Sequence, residues 1–168
     1  MKRKYIIILL LLTTEIGFSQ SVDFDLINYN GLDFYSTKTE IIETFGQPQK
    51  IYEPNYDCGF LSTYSQGEKY LTLDYGKIKF TGNESELYVL EKVNLQKNNS
   101  ISLKYGNHKL TYETDLNKLI EIFGTELQDK FKDDKNGKVV IFRKKADDGI
   151  LIEIKNGKLI RFEYWSPC

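Results

Sequence analysis

The sequence predicts an α+β fold. It reads as two copies of a strand, a short helix and an antiparallel β-meander, with the helices packed on one face of antiparallel sheet. Three observations lead there. A capped helical stretch, "TEIIETFG" (39–46), is echoed by "LNKLIEIFG" (116–124). An alternating run precedes each one, "GLDFYST" (31–37) and "KLTYETD" (109–115). Alternating apolar and polar residues, broken by Gly-containing turns, follow each one.

The first residues are expected to lie outside the fold. Lys2, Arg3 and Lys4 precede the apolar run Tyr5–Leu12, and Gly17 and Ser19 supply small residues at −3 and −1 of a cut after Ser19. This is the pattern of a secretory signal peptide over 1–19, with an apolar core too short for a membrane span. No Cys stands at the cut, so no lipid anchor is expected. The mature chain is expected to be exported, periplasmic or extracellular, with no membrane anchor. Its charge is mildly acidic. Cleavage would remove Lys2, Arg3, Lys4 and Glu15, taking Lys plus Arg from 23 to 20 and Asp plus Glu from 24 to 23. That balance argues against nucleic acid as a partner, since phosphate contacts need clustered excess cations.

The first repeat is expected over 20–96 and the second over 97–168, joined at the polar "QKNNS" (96–100). The sheets of the two copies either stay separate or merge into one fused domain, and merging would hide two strand edges. In the helices, Ser36 and Thr37 match Thr114 and Asp115 as N-cap types. Thr37 with Glu40 fits a capping box. Gly46 and Gly124 would take the left-handed helix-ending position, and Pro48 follows the first. The helices should therefore cover about 38–45 and 116–123. Ile41, Ile42 and Phe45 form one apolar face, and Leu116, Leu119, Ile120 and Phe123 the other. Helices so short need a sheet to rest on.

In the meander, "FLSTY" (60–64) overlies "VVIFR" (139–143), and 72–80 overlies 151–162. Leu71, Leu73 and Tyr75 should face one way, Thr72 and Asp74 the other. Ile150, Ile152 and Ile154 should face inward, Leu151 and Glu153 outward, and Ile160, Phe162 and Tyr164 should share a face. Twelve Tyr and ten Phe suit half-buried strands.

These residues carry a resemblance. A capped helix ending in Phe-Gly, "TEIIETFGQP" and "LNKLIEIFG", followed by an antiparallel meander, resembles the repeat of beta-lactamase-inhibitory-protein-like domains. It is also similar to small outer-membrane-assembly lipoproteins of the same α/β layout. Those families often open each unit with two helices, where this chain has an alternating strand, and the lipid-bearing Cys is absent. The resemblance implies a binding or scaffolding module and no catalytic residues.

Little else points to chemistry. Cys58 and Cys168 are the only thiols, in an oxidising compartment if the chain is exported. A bond between them would enclose about 110 residues, worth about 4–5 kcal/mol on the chain-entropy model; two independent thiols are the alternative. Neither has a neighbouring Cys, so no zinc or redox site is expected, and no metal or cofactor is assigned. His108 is the sole histidine, in a turn-like "YGNHK". Glu43 and Glu121 occupy matched helix positions and Asp74 and Glu153 matched strand positions, as solvated residues or as a carboxylate pair of a hydrolase. "DDKNG" (133–137) and "ADDG" (146–149) read as hairpin turns. The one aromatic concentration is Tyr52, Tyr56, Phe60 and Tyr64, in the stretch after the first helix. These either complete the core or bind a protein or peptide. Their counterpart, 126–138, is highly charged.

Three functions follow. The chain is a non-enzymatic binding or scaffolding protein, an inhibitor or immunity-type protein that fills an enzyme cleft, or a carboxylate-based hydrolase. Intact-mass measurement of the protein recovered from the cell envelope or medium should place the mature N-terminus at Gln20; an uncut Met1 terminus would refute the leader.

Overall fold

The computed structural model describes residues 21–54, 69–97 and 100–167. The expected leader, Tyr56, Phe60, Tyr64, Cys58 and Cys168 lie outside the described residues.

A 3-10 turn over Phe24–Leu26 leads into Ile27–Tyr29 (β1) and Leu32–Asp33 (β2). Asn30 and Gly31 link these strands with φ of 53° and 91°. Positive φ at both central residues is what an Asn-Gly hairpin turn requires. Tyr35–Ser36 (β3) then runs into Lys38–Phe45 (α1). Lys50–Tyr52 (β4), Leu71–Asp74 (β5), Ile78–Asn83 (β6) and Leu87–Asn94 (β7) follow. Leu103–Tyr105 (β8), His108–Leu110 (β9) and Leu116–Phe123 (α2) come next. It ends with Glu126–Lys130 (α3), Gly137–Phe142 (β10), Gly149–Lys155 (β11) and Lys158–Trp165 (β12).

The fold is thus α+β, and all pairing between named strands is antiparallel. One sheet has four strands, ordered β2-β1-β8-β9. The other has eight, ordered β10-β11-β12-β7-β6-β5-β4, with β3 also on β7. Both sheets contain strands from before and after the 96–100 joint. The two halves of the chain meet in the small sheet at the β1–β8 pair, Asn28 opposite Lys104, and in the large sheet at the β7–β12 pair, Val93 opposite Phe162.

The two longer helices begin and end where local chemistry dictates. The Thr37 hydroxyl accepts from the Glu40 N–H, and the Glu40 carboxylate accepts from the Thr37 N–H at 2.8 Å. The Thr37 N–H and then the Thr37 hydroxyl, both donating to the Glu40 carboxylate, hold it below its usual range. Asp115 accepts from the Lys118 N–H at 3.0 Å. The helix ends correct one expectation. Gly46 (φ 75°, ψ −163°) and Gly124 (φ 96°, ψ 177°) are not left-handed helical. Both pair a positive φ with an extended ψ, a region essentially confined to glycine. The chain therefore leaves each helix straight rather than curling over its end.

One core joins both sheets and the helices. The Phe45 ring lies 5.6 Å from Tyr29 on the small sheet and 5.7 Å from Phe80 on the large one. Phe123 lies 4.8 Å from Tyr105. Ile150, Ile152 and Ile154 are buried as expected.

Several expectations need correction. A register shift at Glu153/Ile154 pairs Ile154 with Leu159, so Leu159 is fully buried and Ile160 is turned out. The alternating run 31–37 is split into β2 and β3, and 109–115 keeps strand form only to Leu110. His108 opens β9, opposite Tyr105, rather than sitting within the turn. Residues 133–137 lead from α3 into β10 and make no hairpin; Asp134 caps that turn by accepting from Asn136 N–H. The charged 126–138 stretch holds α3, whose Leu127, with Phe131 just beyond its end, is buried at an i,i+4 spacing.

The glycine exits generate a prediction. Gly46→Ala and Gly124→Ala should each cost about 1–3 kcal/mol from backbone strain, read as a lower urea midpoint at unchanged m-value. No Cβ contact competes at Gly46, where the space is open.

Candidate functional site

Tyr52 is the one member of the expected aromatic group within the described residues. It lies on β4, the last strand of the large sheet's path, where Lys50, Ile51 and Tyr52 are all exposed. Ile51 is 49% exposed. The Tyr52 hydroxyl accepts from Lys79 Nζ at 2.8 Å, and Lys79 also pairs with Asp74 at 3.2 Å. Nζ lies 5.5 Å from the ring centroid, which is the hydroxyl contact measured from the ring's centre and not a cation over its face. The Tyr52 bond first, and Asp74 with it, hold the Lys79 ammonium above its usual pKa.

This pair starts a charged row on the outer face of the large sheet. Lys79 stands directly opposite Lys92, an arrangement that repels unless each cation has an acid. Each has one: Asp74 for Lys79, and Glu163 at 3.1 Å for Lys92. Glu163 also meets Arg161 Nε at 3.1 Å, close enough for attraction but out of line for a hydrogen bond. Arg161 reaches Glu153 on β11 as well. Such pairs are each worth about 0–1 kcal/mol at a solvated face.

A second row crosses the same face: Tyr52, Thr72, Thr81, Val89 and Tyr35, paired in register from β4 to β3. Its middle is buried. The Thr81 hydroxyl donates to Glu91 at 2.6 Å, which leaves Thr72 to donate to Thr81 at 2.7 Å. Glu91 itself is 8% exposed.

Tyr35 ends that row beside an aromatic cluster. The Phe24 and Phe34 rings are 4.3 Å apart, and Tyr164 lies 5.9 Å from each. Arg143 sets its guanidinium 5.0 Å from the Phe24 centroid and donates two 2.9 Å bonds to Asp148. The Tyr164 hydroxyl donates to Asp148 too. Burial, and then Asp148, raise the Tyr164 phenol well above its usual range. Tyr35 is raised by burial, with Arg143 opposing and Asp148 and Asp25 adding to the rise. The cluster gave no sequence signal because its members come from three separate stretches, 24–35, 143–148 and Tyr164.

Described residues form several concavities. One of about 410 Å³ lies where β7 leaves the sheet, against Leu95, Lys97, Tyr112, Ile160 and Arg161. One of about 400 Å³ lies by α2 and α3, against Leu116, Ile120, Phe131, Lys132 and Lys135. One of about 270 Å³ lies against Phe24, Asp25, Asp33, Phe34 and Tyr35.

The matched carboxylates are not brought together. Asp74 on β5 and Glu153 on β11 are four strand positions apart, roughly 19 Å at the usual strand spacing. A glycosidase pair needs about 5–9.5 Å. Glu43 is exposed on α1, and Glu121 pairs with Lys118 along α2. Among the described residues no three His, Cys, Asp or Glu are grouped to hold a metal ion, and no helix is long and apolar enough to cross a membrane. Compared with family models, with curated proteins and with solved structures, the chain matches none.

The Arg143–Asp148 fork generates a prediction. Asp148 is 7% exposed, and its removal would strip Arg143 and Tyr164 of a shared acceptor. Breaking a fully buried pair costs about 3–5 kcal/mol. The Arg143 side chain is 43% exposed, so water recovers part of that, and Asp148→Ala should lose about 2 kcal/mol in urea unfolding.

Proposed function

We propose that the chain is an exported, non-enzymatic binding or scaffolding protein built from two copies of one α/β unit, and that it takes a protein or peptide partner along β4. Support for the duplication comes from pairing. The β1–β8 and β7–β12 pairs each join corresponding strands antiparallel, as a two-fold axis would. The segment entering each helix meets the start of the unit's last strand, Tyr35 opposite Val89 and Asp115 opposite Lys158. Phe45 on Tyr29 corresponds to Phe123 on Tyr105. On this reading β7 corresponds to β12 and β6 to β11, rather than 72–80 to 151–162. The likeness to beta-lactamase-inhibitory-protein-like repeats is part of the same proposal.

One observation carries the binding site. The units differ between the helix and the strands that follow. The second unit there has α3, with Leu127 buried in the core. The first has β4, with all three of its residues exposed and β5 its one strand partner among the described residues. A strand at the end of a sheet offers backbone donors and acceptors to an extended peptide, with Ile51 and Tyr52 as side-chain contacts. The roughly 19 Å between Asp74 and Glu153 weighs against the hydrolase reading.

The test is affinity capture from the cell envelope with wild-type protein and with Ile51→Lys and Tyr52→Ala. Both positions are exposed, so stability should change by no more than about 0.5 kcal/mol. Recovery of the partner should fall about tenfold or more in each variant. Equal recovery from variants that remain folded would remove β4 as the contact.

A further inference from the structure

We propose that the pocket formed by Phe24, Asp25, Asp33, Phe34 and Tyr35 takes the guanidinium of an arginine side chain presented by a protein partner. The inference does not depend on the β4 edge. Size limits the occupant first. At about 270 Å³ the pocket is smaller than the roughly 300–1,000 Å³ of sites for drug-sized ligands. It suits one side-chain tip.

Its walls define the chemistry. Phe24 and Phe34 are 3% and 1% exposed, with rings fixed by contact with each other and with Tyr164. Tyr35 is 38% exposed and stands at 90° to Phe34, so part of a third ring borders the opening. Phe24 and Phe34 cover each other, and Arg143 lies over Phe24, so Tyr35 is the ring exposed enough to attract a cation. Asp25 and Asp33 are exposed and make no ion pair among the described residues. Their polar bonds are local: Asp33 accepts from the Asn28 amide at 3.4 Å, and the Asp25 N–H donates to Asp23. Two carboxylates without a cation, next to aromatic walls, favour a positive guest and disfavour neutral or anionic ones.

The protein supplies its own precedent for arginine. Arg143 places its guanidinium 5.0 Å from the Phe24 centroid while its edge forks onto Asp148. A planar guanidinium can stack and fork at once, and it sheds water more readily than an ammonium. Arg143 does not repel a second cation strongly, because the Asp148 carboxylate, also held by Tyr164, neutralises it.

The full chain, labelled with nitrogen-15, would be titrated with acetyl-Gly-Arg-Gly-amide, with the neutral citrulline peptide of the same shape, and with guanidinium chloride. The arginine peptide should shift the amide signals of Asp25, Asp33 and Tyr35 saturably, with a Kd of order 1 mM. The citrulline peptide should bind about tenfold or more weakly. Guanidinium chloride should bind more weakly than the arginine peptide; equal affinity would overturn the side-chain assignment in favour of a free small cation. Tyr35→Ala and the double variant Asp25→Asn/Asp33→Asn should each weaken the peptide about fivefold or more with the rest of the spectrum unchanged. If Tyr35→Ala fails to fold, the exposed double Asn variant decides alone. No saturable shift up to roughly 50 mM, or equal binding of the citrulline peptide, would overturn the proposal.

Discussion

The pairing of β7 with β12 is the constraint on which the rest of the structure depends. It spans only Lys92–Asn94 and Arg161–Glu163, yet it turns two meanders into one continuous sheet. Val93 and Phe162 at its centre are both fully buried. The partners are 69 residues apart in sequence, so the contact forms only after much of the chain is made. The entropic cost of that closure grows slowly with separation. β7 can accept the junction because its edge is shared end to end: Tyr88–Val89 pair with β3, and the last residues pair with β12. The charged row on the outer face crosses this seam through Lys92 and Glu163, a polar contact directly over an apolar one.

What was legible in the sequence was local. The bounds of α1 and α2 rest on an N-cap bond three residues long and a glycine immediately after the last turn, and both could be read without knowledge of the partner sheet. The inward Ile150, Ile152 and Ile154 follow from strand alternation alone. What escaped reading was set by tertiary contacts. The bulge that swaps Leu159 for Ile160 depends on how β11 and β12 settle across a tight turn. The two-residue β3 exists because β7 extends past β12. In α3, two apolar residues four apart were outweighed by the charge around them. Tyr52 was legible as a surface aromatic, but its Lys79 and Asp74 neighbours were not, because they come from β6 and β5. The aromatic cluster gave no sequence signal, since Phe24 and Phe34 meet Arg143, Asp148 and Tyr164 only in the fold.

The outer face of the large sheet combines two kinds of polar chemistry. Near the β4 end the threonines and Glu91 are sealed in a chain of short hydrogen bonds, and a buried network of this kind favours one arrangement over others when every member is satisfied. Toward the seam the side chains are partly solvated ions that can exchange partners cheaply. The two tyrosines exposed among the described residues, Tyr35 and Tyr52, stand at opposite ends of the threonine row, roughly 19 Å apart by strand count. A ligand engaging both would have to cross the sheet perpendicular to its strands.

The position of Val22 carries a consequence for biogenesis. Its N–H donates to Phe142 O at 2.9 Å, and its side chain is 1% exposed, three residues beyond the proposed cut at Ser19. A peptidase needs several residues on each side of its bond in an extended, accessible state. In the fold Val22 is clamped against the end of β10. On the proposed export reading, removal of the leader therefore comes before this clamp closes.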